Sequence, residues 1–264
     1  MSRNSEKPPS PGKIRADLLL VEQGHAETRS RAQSLILSGR VYEGERRIDK
    51  SGDLLPGDAV LNVKRAERFV SRGGEKLEGA IAALAVEVHG LVCADVGAST
   101  GGFTDCLLQR GAARVFAIDV GWGQLAQPLR VDPRVIVLER TNARHLTLEA
   151  VGGSKVDLCV VDVSFIGLAK LLPAIAGIVK PGGQLLALVK PQFEAGREEA
   201  ARGKGVIRDE EVRMAAVARV REALDEHGFE ITGEADSEVI GPKGNRERFV
   251  LARLIPTDSE PEAA

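Results

Sequence analysis

The chain has few cysteines, no long apolar run and no repeated unit, and each absence removes a class of protein. Cys93, Cys106 and Cys159 are odd in number and far apart. Without a Cys-x-x-Cys pair or a clustered His, they read as reduced thiols, with neither a disulfide framework nor a structural metal expected. No apolar stretch approaches the about 20 residues that a membrane helix needs. The opening residues, Met1 to Gly12, are polar and Pro-rich, not charged and then apolar, so the reading expects no secretory route, no membrane partner and a cytoplasmic protein. Solenoids and coiled coils are excluded by the lack of internal period.

What is present suits one large or two modest domains: 264 residues, 43% of them hydrophobic, with a formal net charge of -2. That charge is unevenly spread. Residues 1 to 78 hold 15 Lys+Arg against 12 Asp+Glu, and the remainder 21 against 26, so the halves carry +3 and -5. The sign fits an N-terminal module that touches phosphates. Residues 1–12 and 256–264, rich in Pro, Ser and Glu, read as disordered tails. Between Ile14 and Val63 the pattern is helix (Ala16 to Gln23), turn, helix (Arg29 to Leu37), then short strands around Arg40 to Tyr42 and Ala59 to Val63, making a small α+β module at 13–63. A connector at 64–70 follows. From 71 to 255 the chain alternates strands (Leu91 to Val96, Arg114 to Ile118, Arg134 to Leu138, Val156 to Val161, Gln184 to Val189) with helices, which indicates a parallel sheet covered on both faces. A helix from Asp209 to His227, then Phe229 to Ile231 and Arg248 to Leu254, predicts an antiparallel terminal hairpin. The fold class is therefore α/β, a Rossmann-like sheet preceded by a small α+β domain.

The most informative stretch is Leu91 to Asp105, where a buried-strand pattern runs into Gly97-Ala-Ser99-Thr100-Gly101-Gly102 and then a helix start. A small-residue turn there lets a ligand touch backbone, and Asp119, at the tip of the next strand, supplies a carboxylate for ribose hydroxyls. Three chemistries compete. A dinucleotide fingerprint wants Gly where Ser99 stands, and the residue crowds a pyrophosphate. Gly97-Ala-Ser99-Thr-Gly101 also matches the nucleophile elbow Gly-x-Ser-x-Gly, but no oxyanion motif precedes it. S-adenosylmethionine has no pyrophosphate and asks for glycine-rich backbone plus a ribose carboxylate, which Asp95, the turn and Asp119 meet. Phe103 has two roles open to it: packing against the ligand or anchoring its helix in the core. Asp162 and Lys190 close two apolar strands at the same sheet edge as the turn, where open α/β sheets place ligands.

Taken together, Ser71-Arg-Gly-Gly-Glu-Lys76-Leu77, Asp95 to Asp105, Asp162-Val-Ser-Phe165-Ile, Lys190-Pro-Gln-Phe-Glu194 and Gly244-Asn-Arg-Glu247 closely resemble the TlyA family, with the motifs in order over nearly the whole chain outside the tails. The resemblance implies a two-domain S-adenosylmethionine-dependent ribosomal RNA ribose 2′-O-methyltransferase, of a family sometimes labelled haemolysins, with an S4-type RNA-binding domain and an FtsJ-like catalytic half. It implies a Lys-Asp-Lys-Glu set at Lys76, Asp162, Lys190 and Glu247, and cofactor contacts at Asp95, Gly97, Ser99, Thr100, Gly101, Gly102, Phe103, Asp119, Asn142, Ala143 and Asp162. It also implies cytidine as the target, in the small subunit, the large subunit or both. Tyr42-Glu43-Gly44 departs from the usual Asn-Gly of such modules.

The mechanism expected from this set makes Lys190 the group that takes or stabilises the 2′-hydroxyl proton, Lys76 a neighbouring cation that lowers its pKa, Asp162 the anchor of the ammonium and the cofactor, and Glu247 an orienting group. RNA contacts are expected at Arg15, Arg29, Arg31, Arg40 and Arg65, with Phe165 stacking on the target base or serving the core. Arg29 and Arg31 do not share a helix face, so one of them is expected to reach RNA. A monomer is expected. A pore-forming protein and a catalytically inactive ribosome assembly factor are the rival readings.

Overall fold

A computed structural model describes residues 12–64, 68–195, 206–241 and 244–256. The chain divides into two compact units, Met1–Glu67 and Arg68–Ala264.

The smaller unit is built on β1 (Lys13–Arg15), α1 (Ala16–Glu22), α2 (Arg29–Leu37), β2 (Val41–Glu43), β3 (Arg46–Arg47), β4 (Leu54–Pro56) and β5 (Leu61–Val63). Thr28 caps α2 by accepting the Arg31 amide, the reciprocal of a free helix N-terminus. Strands β3, β2 and β5 form one antiparallel sheet, and β1 pairs separately with β4. Leu19, Leu20, Ile36, Val41, Ile48, Leu55 and Leu61 make its core, all buried. The first helix forms where it is expected, from Ala16 to Glu22; the short strand before it, Lys13 to Arg15, was not expected, because its partner Leu54 to Pro56 lies about 40 residues on and leaves no local signal.

The larger unit runs α3 (Arg72–Ala83), β6 (Val92–Val96), α4 (Gly102–Gln109), β7 (Arg114–Ile118), α5 (Gln127–Arg130), β8 (Val135–Leu138), β9 (Val156–Val161), α6 (Leu172–Ile178), β10 (Val179–Val189), α7 (Pro191–Glu194), α8 (Glu210–Glu226), β11 (Phe229–Asp236) and β12 (Arg248–Leu254). Its seven strands lie in the order β11-β12-β10-β9-β6-β7-β8. Neighbours from β10 to β8 are parallel, whereas β12 is antiparallel to both β10 and β11. The expected mostly parallel sheet with an antiparallel terminal hairpin is what forms. Alternation explains the layers: along β9, Cys159 and Val161 point into one core, and Leu158 and Val160 into the other. The last strand pair is longer than its sequence pattern, because β11 continues to Asp236 through polar residues that pair across to β12.

This order places the first strand, β6, between β9 and β7. The order in which successive strands are added reverses there, with all of these strands parallel, and the crevice that results lies beyond their C-terminal ends. The tips are stitched together. Gly97 and Ala98 both donate to the Ile118 carbonyl, and the Asp162 amide donates to that of Val96.

Candidate functional site

At that crevice lies a cavity of about 530 Å³, walled by Val96, Gly97 and Ser99 from β6 and its turn, Asp119 and Val120 after β7, Asn142 and Ala143 after β8, and Asp162 to Ile166 after β9. Its size falls in the ~300–1,000 Å³ range of small-molecule sites. The turn is shaped by contact. Gly97 has φ +90°, and a side-chain carbon there would stand 2.5 Å from the Asp162 carbonyl oxygen, so bare backbone is required where the two strand ends meet. Ser99 also takes a left-handed conformation, φ +49°. Its amide donates to Asp119 Oδ2 at 2.8 Å, and its hydroxyl to Gln124 Oε1 at 3.3 Å. Asp119 Oδ1 accepts the Gly121 amide at 2.7 Å. Two backbone donors thus fix the carboxylate, and each oxygen keeps a lone pair for a ligand hydroxyl. Asn142, which lines the cavity, is held by its Oδ1, which accepts the Arg144 amide. These residues fit a nucleoside-bearing cofactor with a short amino-acid tail.

Asp95, Thr100, Gly101, Gly102 and Phe103 stand apart from the cavity wall. Phe103 is buried, its ring 6.1 Å from that of Phe249, which is the helix-anchoring role. Asp95 is wholly buried behind the turn, with Oδ2 accepting the Thr104 hydroxyl at 2.6 Å. Burial pushes its carboxyl up to about 7, the nearby Asp162 adding to the effect and the Thr104 hydrogen bond opposing it. Gly102 works by close packing. A side chain there would collide with Ser71 Oγ and the Gly74 amide nitrogen, so the glycine-rich starts of α3 and α4 press together.

That packing sets α3, and with it Lys76, whose Nζ meets Glu247 Oε2 at 2.5 Å in a buried ion pair spanning 171 residues. Lys190, just past the end of β10, meets Asp162 Oδ1 at 2.5 Å and donates to Ser164 Oγ at 3.0 Å. Each lysine therefore has a carboxylate of its own. Ser164 was not singled out from the sequence, and neither was Phe193, whose ring lies 5.3 Å from that of Phe165. Both sit inside the two motifs, Asp162 to Ile166 and Lys190 to Glu194, that meet here. Phe165 is 92% exposed at φ +69° and lines the cavity, so a core role is excluded.

In the smaller unit the arginines are less free than their sequence implies. Arg15 donates through Nε and Nη2 to the fully buried Asp17, and Arg29 and Gln33 also donate to Asp17. These donors hold the Asp17 carboxyl well below the usual range, the Arg15 hydrogen bond most of all. Arg40 donates to the Lys64 carbonyl. Arg31 is exposed and has no side-chain partner among the described residues. Arg65 lies outside the described residues.

Residues 69–254 match the FtsJ-like methyltransferase family. The 16S/23S rRNA (cytidine-2′-O)-methyltransferase TlyA of Mycobacterium tuberculosis is 48% identical over 248 residues, covering 91% of this chain and 90% of that protein. A Bacillus subtilis protein provisionally named as an rRNA methyltransferase is 45% identical, covering 90% of this chain and 85% of that one. A solved structure from Streptococcus thermophilus, which carries a provisional haemolysin name, superposes with a TM-score of 0.71 at 39% identity, covering 93% of this chain and 90% of that one. Among the described residues, no helix is long and apolar enough to cross a membrane.

Proposed function

The chain belongs to the FtsJ-like methyltransferase family, and from that membership and the geometry of its crevice we propose that it methylates a ribose 2′-hydroxyl, on cytidine, in ribosomal RNA of the cytoplasm. S-adenosylmethionine, when bound, supplies the activated methyl group. The observation that carries the reading is the position of Asp162: it walls the same cavity as Asp119 and the glycine turn, and it is paired with Lys190.

The chemistry asked of the protein is modest, because a sulfonium methyl is already a good electrophile and needs an oriented oxygen more than a strong base. Gly97, Ser99, Asp119 and Asn142 hold the cofactor in one pose. Lys190, fixed between Asp162 and Ser164, hydrogen-bonds the 2′-oxygen and stabilises the negative charge that develops as this oxygen bonds to the methyl carbon, the carbon–sulfur bond breaks and the hydroxyl proton passes to water. Lys76, fixed by Glu247, adds a second cation on the acceptor side. Phe165, exposed and backed by Phe193, stacks on a base that has left its helix. In the smaller unit, Arg31, whose side chain is exposed, and the half-exposed Arg15, oriented by Asp17, bind phosphates, while Arg29 is tied to Asp17.

The test is incorporation of labelled methyl groups into isolated ribosomal subunits, followed by mapping of the 2′-O-methylated position. Wild type is expected to label a cytidine. Lys190→Ala is expected to lower turnover by at least a thousandfold while cofactor affinity stays within about threefold; retained turnover overturns the role of Lys190, and absence of labelling by wild type on either subunit overturns the activity.

A further inference from the structure

The chain contains a single Trp among nine aromatic residues, and that residue is 69% exposed. Trp122 stands in the loop between β7 and α5, whose other residues Asp119, Val120 and Gln124 line the cavity. The loop is rigidly built. Asp119 Oδ1 takes the Gly121 amide, the Gly121 carbonyl takes the Arg140 amide at 2.9 Å, and the Asp119 carbonyl takes the Thr141 amide at 2.9 Å. Gly123 donates to Glu139 Oε1, and Glu139 is itself pinned by Arg130 at 2.5 Å. Arg140 is held in the left-handed region, φ +55°, with no glycine to make that easy. Its guanidinium lies 5.1 Å from the centre of the indole ring. Even with that cation on the ring, most of the indole surface meets solvent.

Two loops after neighbouring strands, whose residues Val120, Gln124 and Thr141 line the cavity, are thus spent on presenting a flat aromatic surface and a cation to solvent. An aromatic face takes any unstacked base, and a guanidinium beside it takes a phosphate. We propose that Trp122 and Arg140 form a second nucleotide subsite, occupied by an unpaired nucleotide of the same ribosomal RNA strand at some remove from the methylated one. This rests on the ribosomal RNA reading above. The subsite is separate from the one formed around Phe165, since Trp122 lies on the β7–β8 side of the crevice and Phe165 follows β9. Its work is to fix the strand's path and not to take part in methyl transfer.

Because Trp122 is the only Trp, its fluorescence reports on this place alone. Deproteinised ribosomal RNA, which contributes no Trp signal, is expected to quench it by about half or more, and S-adenosylhomocysteine alone to leave it within a tenth of its starting value. Trp122→Ala is expected to raise KM for ribosomal subunits about tenfold or more, in line with the range measured for loss of one stacked base, with kcat and cofactor affinity within about twofold. Trp122→Phe, which keeps a stacking ring, is expected to recover most of that loss, and Arg140→Ala to raise KM and flatten its dependence on salt. Equal quenching by S-adenosylhomocysteine would assign Trp122 to the cofactor, concentration-dependent self-association abolished by Trp122→Ala would assign it to a second copy, and an unchanged KM in Trp122→Ala would leave it without a role; each overturns the subsite. Methyl transfer by wild type in the same assay keeps such a failure distinct from a failure of the activity itself.

Discussion

Replacing Lys76 by Met separates the support of the site from its chemistry. Lys76 is 8% exposed and Glu247 1%, and their contact is 2.5 Å. Glu247 Oε1 has no hydrogen-bond partner among the described residues, so Lys76 is the principal compensation for a carboxylate that water does not reach. Removing one partner of a buried pair costs about 3–5 kcal/mol, because the other charge is left uncompensated, whereas removing both charges is often close to neutral. Lys76→Met keeps most of the side-chain volume and deletes the charge. For a unit of this size, ~1 kcal/mol corresponds to roughly 2–4 °C in Tm, so the single variant is expected to melt at least ~6 °C below wild type. The double variant Lys76→Met, Glu247→Gln is expected to regain most of that difference without regaining methyl transfer. Thermal unfolding followed by circular dichroism, beside a methyl-incorporation assay, reads both quantities. A single variant melting within about 2 °C of wild type, or a double variant no more stable than the single, refutes the reasoning.

Asp95 gives a pH signature. With its carboxyl raised to about 7 by burial, the folded state holds a proton that the unfolded chain releases near pH 4, so stability is expected to fall by as much as about 4 kcal/mol between pH 4 and 7 from this group and then level off; Asp95→Asn flattens that slope in urea titrations, and an unchanged slope counts against it. Gly97→Ala places a methyl group against the Asp162 carbonyl at a backbone angle hostile to side chains, so calorimetry is expected to show cofactor affinity down at least tenfold, and wild-type affinity would show that the two strand tips separate freely.

How much of this was legible in the sequence depends on how local the cause was. Asp162 and Lys190 were readable because each closes an apolar strand, and parallel strands bring their tips to one edge. The Lys76–Glu247 pair was not, since it spans 171 residues and links a helix before the first strand to the start of the last; only the family resemblance pointed to it. Phe103 left two roles open because a helix-start aromatic looks the same in either, and what decided was Phe249, remote in sequence. The arginines of the smaller unit are legible as candidate RNA contacts, but not as partners of a buried carboxylate. Their tie to Asp17 depends on α1 and α2 packing so that Arg29 and Gln33 face it, which charge counting does not see. Trp122 carried no motif at all. Its meaning comes from exposure, a property of the folded chain.

The pairing of charges also divides affinity from chemistry. Lys76 with Glu247 and Lys190 with Asp162 sum to zero formal charge, and Asp119 adds a negative charge to the cofactor side. A crevice so balanced offers a polyanion little attraction of its own, so the force that draws RNA in must come from cations outside it, such as Arg31 and Arg140, which are exposed. Salt weakens such contacts steeply: for three phosphate contacts to a single strand, raising salt fourfold costs roughly twentyfold in binding. The buried Lys76–Glu247 pair and the partly buried Lys190–Asp162 pair are screened far less. Between about 50 and 200 mM salt, KM for ribosomal subunits is therefore expected to climb by an order of magnitude while kcat at saturating RNA changes less than twofold, measured by initial rates of methyl incorporation. A kcat that falls as steeply as kcat/KM would mean that exposed charge reaches the reacting atoms, and that the two ion pairs do not isolate the site as their geometry suggests.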